Sequence, residues 1–147
     1  MSDDAAGLLV VRELRRHLQS FPGARVDIKE VEGSVLDAVL AFKGYTFAIL
    51  VDTVRSSPQH PPGSVLVADA ADLAAHPSYT PHDISFTDAL SLLKTTYPKQ
   101  SPRHIKFCLI AGSCFSAGNT LSPPVQLAIP RAVEAILSIL RKWRLLR

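Results

Sequence analysis

The chain has 147 residues, 47% hydrophobic and 20% charged, which fits one compact domain with its own core and excludes a disordered, low-complexity polymer. Its net charge of +3 comes from the end of the chain. Of 16 Lys and Arg, four stand in the terminal RKWRLLR, which leaves 12 against 13 acidic residues in the body and gives no support to a basic face for nucleic acid.

In chain order, Leu8, Val11, Leu14 and Leu18 recur at helical spacing from Ala6 to about Phe21, with Arg12, Arg15 and Arg16 largely outside the stripe. This predicts a helix laid on a sheet and ended by the PGA at Pro22–Ala24. ARVDIKEVEG reads as a short strand and turn, GSVLDAVLAF as a helix, and TFAILVD as a strand apolar on both faces. HPPGSVLVAD reads as a Pro-Gly turn and a further strand, and AADLAAHPSYTP as loop. In HDISFTDALSLL, Ser85 and Asp88 have the spacing of a capping box, and Ile84 stands where a hydrophobic staple would.

HIKFCLIAG is the last buried strand and SCFSAGNT a loop. Ser122 and Pro123 are an N-cap and first helical residue, and Pro130 divides a short helix from a long final one whose buried stripe is Val133, Ile136, Leu137 and Leu140. Continuous apolar strands alternating with amphipathic helices predict an α/β domain over residues 1–147: a three-layer, doubly wound, mostly parallel sheet flanked by helices.

Cys108 lies in an apolar run, as a buried thiol does, and the two cysteines are too far apart for a zinc knuckle. A charged leader with an apolar core is not apparent, nor an apolar run long enough to span a bilayer. The expectation is a cytoplasmic protein in a reducing compartment, without membrane insertion.

Open α/β sheets bind ligands beyond the carboxyl ends of their strands. The predicted elements send Asp4, before the first helix, Asp52, at the end of a central strand, and His82, before a later helix, to that edge. Two carboxylates and an imidazole meeting there would suit a divalent ion such as nickel or zinc. Each also has a simpler explanation. Asp3 and Asp4 would cap a helix, Asp52 would close a turn, and His82 would be a solvated loop residue. His76 is the alternative ligand, and Asp83 is read as helping to cap the helix rather than orienting His82. His17, His60 and His104 are assigned to surface, turn and strand start. Signatures of a Ser-His-acid triad, a phosphate-binding glycine loop or a Cys/His cluster do not occur.

The ordered segments DDAAGLLVVREL, AILVDTV, PPGSVLV, HDISFTDALSLL, IKFCLIAG and LSPPVQLAIPRAVEAIL resemble the hydrogenase maturation proteases over about residues 3 to 140. The resemblance implies a phosphorylase/hydrolase-like fold and an endopeptidase that removes the C-terminal extension of a [NiFe]-hydrogenase large-subunit precursor after nickel insertion. It places Asp4, Asp52 and His82 on the nickel contacts. The nickel would be supplied by the precursor, with no tightly bound cofactor and no nucleophile from the protease. The family's first strand and Gly-x-Gly-Asn turn have no counterpart ahead of Asp3, and Ala5 replaces a glycine. Three explanations are open for the strand: a gene start assigned too late, a sheet that re-pairs, or a second chain covering the edge as a homodimer. A non-catalytic relative that binds metal or partner in hydrogenase assembly is the rival reading. A basic-tailed adaptor for an anionic surface ranks last.

Overall fold

A computed structural model describes residues 3–74, 85–113 and 120–146. A 3-10 turn at Asp3–Ala5 leads into α1 (Ala6–Leu18), followed by α2 (Val35–Leu40), β1 (Phe47–Arg55), β2 (Val65–Ala68) and α3 (Ala70–Ala74). Then come α4 (Phe86–Thr96), β3 (His104–Gly112) and α5 (Pro123–Lys142).

The described strands form one sheet in the order β1-β3-β2. β1 runs parallel to β3, with Phe47 opposite His104 and Arg55 opposite Gly112, whereas β2 is antiparallel to β3. The sheet is therefore mixed. Because successive strand residues point to opposite faces, β3 serves two cores. Phe107 and Leu109 join Leu50, Val54, Val39, Phe86 and Leu93 under α2, α3 and α4, while Cys108 and Ile110 join Val10, Leu14, Val133, Ile136 and Leu137 under α1 and α5. These are the three layers expected from the sequence.

Four local expectations are corrected. Residues 25–32 form no strand. Arg25 N–H donates to Leu145 O at 3.2 Å rather than to a strand, and side chains hold the segment in place. Arg12 and Arg15 pair with Glu30 at 2.8 and 3.3 Å, and Tyr45 Oη–H donates to Asp27 at 2.6 Å. A strand needs a neighbour for its backbone, and this segment has none among the described residues.

The second correction is α3, read as loop. Asp69 Oδ1 accepts from Asp72 N–H and Asp72 Oδ2 accepts from Asp69 N–H, both at 3.0 Å, a reciprocal cap that starts the helix. At α4, Ser85 is the N-cap as expected and accepts from Asp88 N–H at 3.1 Å.

Third, α5 runs unbroken through Pro130. An interior proline costs about 3 kcal/mol. Pro130 is on the exposed side, while Val125 and Ala128 before it and Val133, Ile136, Leu137 and Leu140 after it form one buried stripe. Each large apolar side chain buried there contributes about 1.5–3 kcal/mol, so the stripe outweighs the local cost. Unbroken, α5 is long and apolar enough to cross a membrane by length and composition, contrary to the sequence expectation, but this stripe makes it a core helix.

Fourth, α1 turns its deepest side chains, Ala6, Val10 and Leu14, into the core, leaving Leu8, Val11 and Leu18 half-buried.

Candidate functional site at the end of the first helix

The neighbouring acids Asp3 and Asp4 have opposite surroundings. Asp3 is fully buried. Its Oδ2 accepts from Ser113 N–H and Ser122 Oγ–H, both at 2.9 Å, and its Oδ1 accepts from Ser122 N–H at 2.8 Å. It therefore ties the start of the chain to the end of β3 and the start of α5. A helix cap for Asp3 or Asp4 is not what the structure shows. The N-cap of α1 is Ala5, with no side-chain cap bond. Asp3 comes so close to β3 that a Cβ added at Gly112 would stand 2.8 Å from its Cβ. Ser122 is the N-cap of α5 as expected, but its hydroxyl makes no capping bond and instead donates to Asp3 Oδ2.

Asp4 is exposed, one residue further along the 3-10 turn. Asp52 is half-buried and lies inside β1 rather than at its end, because β1 continues through Val54 and Arg55 in register with Ala111 and Gly112. Among the described residues β1 is also an edge strand, not a central one. Asp52 Oδ1 accepts from Thr53 N–H at 2.8 Å. Gly7 lets α1 approach this point. A Cβ there would stand 3.1 Å from both Asp52 Cα and Val51 O, and Gly7 N–H reaches the buried Thr53 Oγ1 at 3.4 Å.

Asp4 and Asp52 line one groove of about 810 Å³ that runs beside β1. Carboxylates are the oxygen donors a divalent cation takes. His82, His76, Asp83, Ile84 and Cys114 lie outside the described residues, so two of the three expected site residues are seen at this groove and the third is not placed. Among the described residues, no three His, Cys, Asp or Glu side chains form a metal-holding group.

The other histidines match their assignments. His17 is exposed and 3.7 Å from Glu13, His60 is in the turn after β1, and His104 stacks on Phe47 with ring centroids 4.9 Å apart. Cys108 is fully buried and burial pushes its thiol up to about 12, so it is no thiolate nucleophile near neutral pH. What sequence reasoning missed is the role of Asp3, which ties the turn carrying Asp4 to the end of β3 and the start of α5. The one available signal was an acid next to Asp4, and nothing in the spacing pointed to Ser113 and Ser122, more than a hundred residues away.

The model of the family described as hydrogenase maturation protease matches residues 8–139. Among curated proteins, FrxA from Pyrococcus furiosus is 28% identical over 145 residues, spanning 97% of this chain and 98% of FrxA. Among solved structures, the hydrogenase maturating endopeptidase HybD of Escherichia coli superposes with a TM-score of 0.73 at 20% identity, over 97% of this chain and 86% of HybD. The [NiFe] hydrogenase maturation protease HybD of Thermococcus kodakarensis gives 0.71 at 22% identity, over 95% and 90%. This chain belongs to the hydrogenase maturation protease family, a family of peptidases.

Proposed function

We propose that this protein removes the C-terminal extension of a [NiFe]-hydrogenase large-subunit precursor once nickel has been inserted. The observation that carries the reading is that Asp4 and Asp52, 48 positions apart in the sequence, come to one groove in a chain of this family. The nickel belongs to the substrate, and Asp4, Asp52 and His82 would be its contacts on the protease side, with no resident cofactor. The two carboxylates offer the charge and oxygen donors that hold a cation in place. So held, the precursor's nickel can polarise the scissile carbonyl or activate a water. No nucleophile from the protease is required. The protein would act in the cytoplasm, as a soluble enzyme.

The rival reading is a non-catalytic assembly protein, suggested by Ala5 standing where the family has glycine. Its backbone weakens that argument. Ala5 has φ −82° and ψ −5°, which any L-residue adopts, so the turn carrying Asp4 does not need glycine at this position.

The test is to incubate the chain with nickel-loaded and nickel-free precursor and follow the mass of the large subunit. Loss of the extension from the loaded form alone is expected. An uncut loaded precursor, with the protease shown to be folded, would give the assembly-protein reading the stronger claim.

A further inference from the structure

Asp4 and Asp52 are each followed or preceded in the chain by a buried polar residue. Asp3, just before Asp4, is fully buried, and Thr53, just after Asp52, is 2% exposed. The two buried side chains meet over Gly112, where an added Cβ would stand 2.8 Å from Asp3 Cβ and 3.1 Å from Thr53 Cγ2, so they can lie there only over a glycine. Each is also tied to a neighbouring element. Thr53 N–H donates to Asp52 Oδ1 at 2.8 Å and Thr53 Oγ1 accepts from Gly7 N–H at 3.4 Å, in the first turn of α1. Asp3 accepts from Ser113 N–H at the end of β3 and from Ser122 N–H and Oγ–H at the start of α5. Asp4 is thus anchored on both sides, through Asp3 before it and Gly7 after it. Filling this space does not call for a charge, and a buried carboxylate is costly unless it is fully hydrogen-bonded. What an ionised aspartate offers is two acceptor oxygens and no donor on a short side chain, which matches the backbone N–H groups that meet it here.

We infer that Asp3 is a positioning residue for the cleavage reaction: its clasp on Ser113 and Ser122 sets where the turn holds the Asp4 carboxylate relative to Asp52. The inference rests on the proposed function. Asp3 acts through Asp4 and touches neither the precursor nor its nickel. An exposed side chain such as Asp4 is placed by its backbone more than by packing, so whatever fixes the turn fixes the carboxylate. A displacement of about 1 Å in a positioned group can cost about a hundredfold in rate, which makes the clasp matter beyond its share of stability.

The test compares Asp3→Asn with Val133→Ala, a truncation in the core between α1 and α5, using nickel-loaded precursor and the folded full chain. Both Asp3 oxygens accept from a backbone N–H, so the amide nitrogen of asparagine must face one of them whichever way it turns. Asp3→Asn is expected to lower kcat/KM per folded molecule by about a hundredfold, and Val133→Ala to keep the wild-type value even where its unfolding midpoint falls as far. Ser122→Ala removes the hydroxyl donor and keeps both backbone bonds, so a smaller fall in the same direction is expected, and it carries the comparison if Asp3→Asn does not fold. Amide exchange gives a second readout that needs no activity: loss of the clasp is expected to speed exchange at Gly7 and leave Leu109, in the middle of the sheet, unchanged. Wild-type processing by folded Asp3→Asn, or losses that follow the midpoint alike in Asp3→Asn and Val133→Ala, would overturn the inference and leave the protease. No processing by wild type would remove the protease reading, and exchange at Gly7 would then decide whether the clasp holds Asp4. Unchanged protection of Gly7 in Asp3→Asn overturns the inference in either case.

Discussion

β1 and β3 are parallel neighbours of equal length, nine residues each, and both read as continuous apolar runs, yet they have different fates. β3 lies between β1 and β2 and is buried from Phe107 through Gly112, whereas β1 has one strand neighbour among the described residues and keeps only Leu50, Thr53 and Val54 buried. Asp3 and Asp4 repeat the contrast within one turn, the first buried among donors and the second exposed at the groove. Neighbours, not composition, decide burial here. Among the described residues, β3 with α1 and α5 makes a deeply buried side, while β1 stays half-buried along most of its length.

The sharpest way to break that contrast is a charge on the packed side. Val133→Asp is expected to cost on the order of 5 kcal/mol, much of the stability of a domain this size, seen as a collapse of the urea midpoint. Next comes the acid pair. Asp3→Ala leaves the donors of Ser113 and Ser122 without their carboxylate, at about 1–3 kcal/mol for each group that stays buried and unpaired. Asp4→Ala, on the exposed neighbour, is expected to stay within about 0.5 kcal/mol. Equal midpoints for the two variants would remove the distinction between them.

Two smaller effects depend on pH. Burial raises the Cys108 thiol from 9.0 to about 12, so the folded state holds a proton that the unfolded chain releases. Stability tied to this group is full below about 9 and is lost as pH rises from there towards 12. Thermal unfolding across that range should fall more steeply for wild type than for Cys108→Ala. On the side along β1, hydrogen bonding to Arg12 lowers the pKa of Glu30 below 4.5, opposed by desolvation and helped by Arg15. Stability from that exposed pair is present above 4.5 and lost as pH falls through the lower folded value. Lower protection of the amides in 25–31, relative to their intrinsic exchange rate, as pH falls, absent in Glu30→Gln, is the expected sign.

What the sequence disclosed follows the same division. IKFCLIAG was legible because a strand covered on both sides and both faces must be apolar throughout. The Ser85 cap and the α5 stripe were legible because their signals are local. ARVDIKEV has the residues of a strand, but whether it pairs depends on a neighbour the local sequence does not describe. Pro130 misled because its cost is local while the burial that offsets it is spread along α5, and α3 was hidden because its cap joins two aspartates in a run too short for periodicity. At the site, Asp52 was legible from the apolar strand it closes in the pattern, although the strand itself goes on for three more residues. Asp4 was legible from its place before the first helix. The role of Asp3 was not, because its partners come from the far end of the chain.

The measurement that bears most directly on the central claim is processing of a nickel-loaded large-subunit precursor by wild type beside Asp4→Ala and Asp52→Ala, each with its unfolding midpoint determined. The account predicts cleavage by wild type and its loss in both variants while they remain folded. Cleavage by a folded Asp52→Ala at the wild-type rate would contradict it.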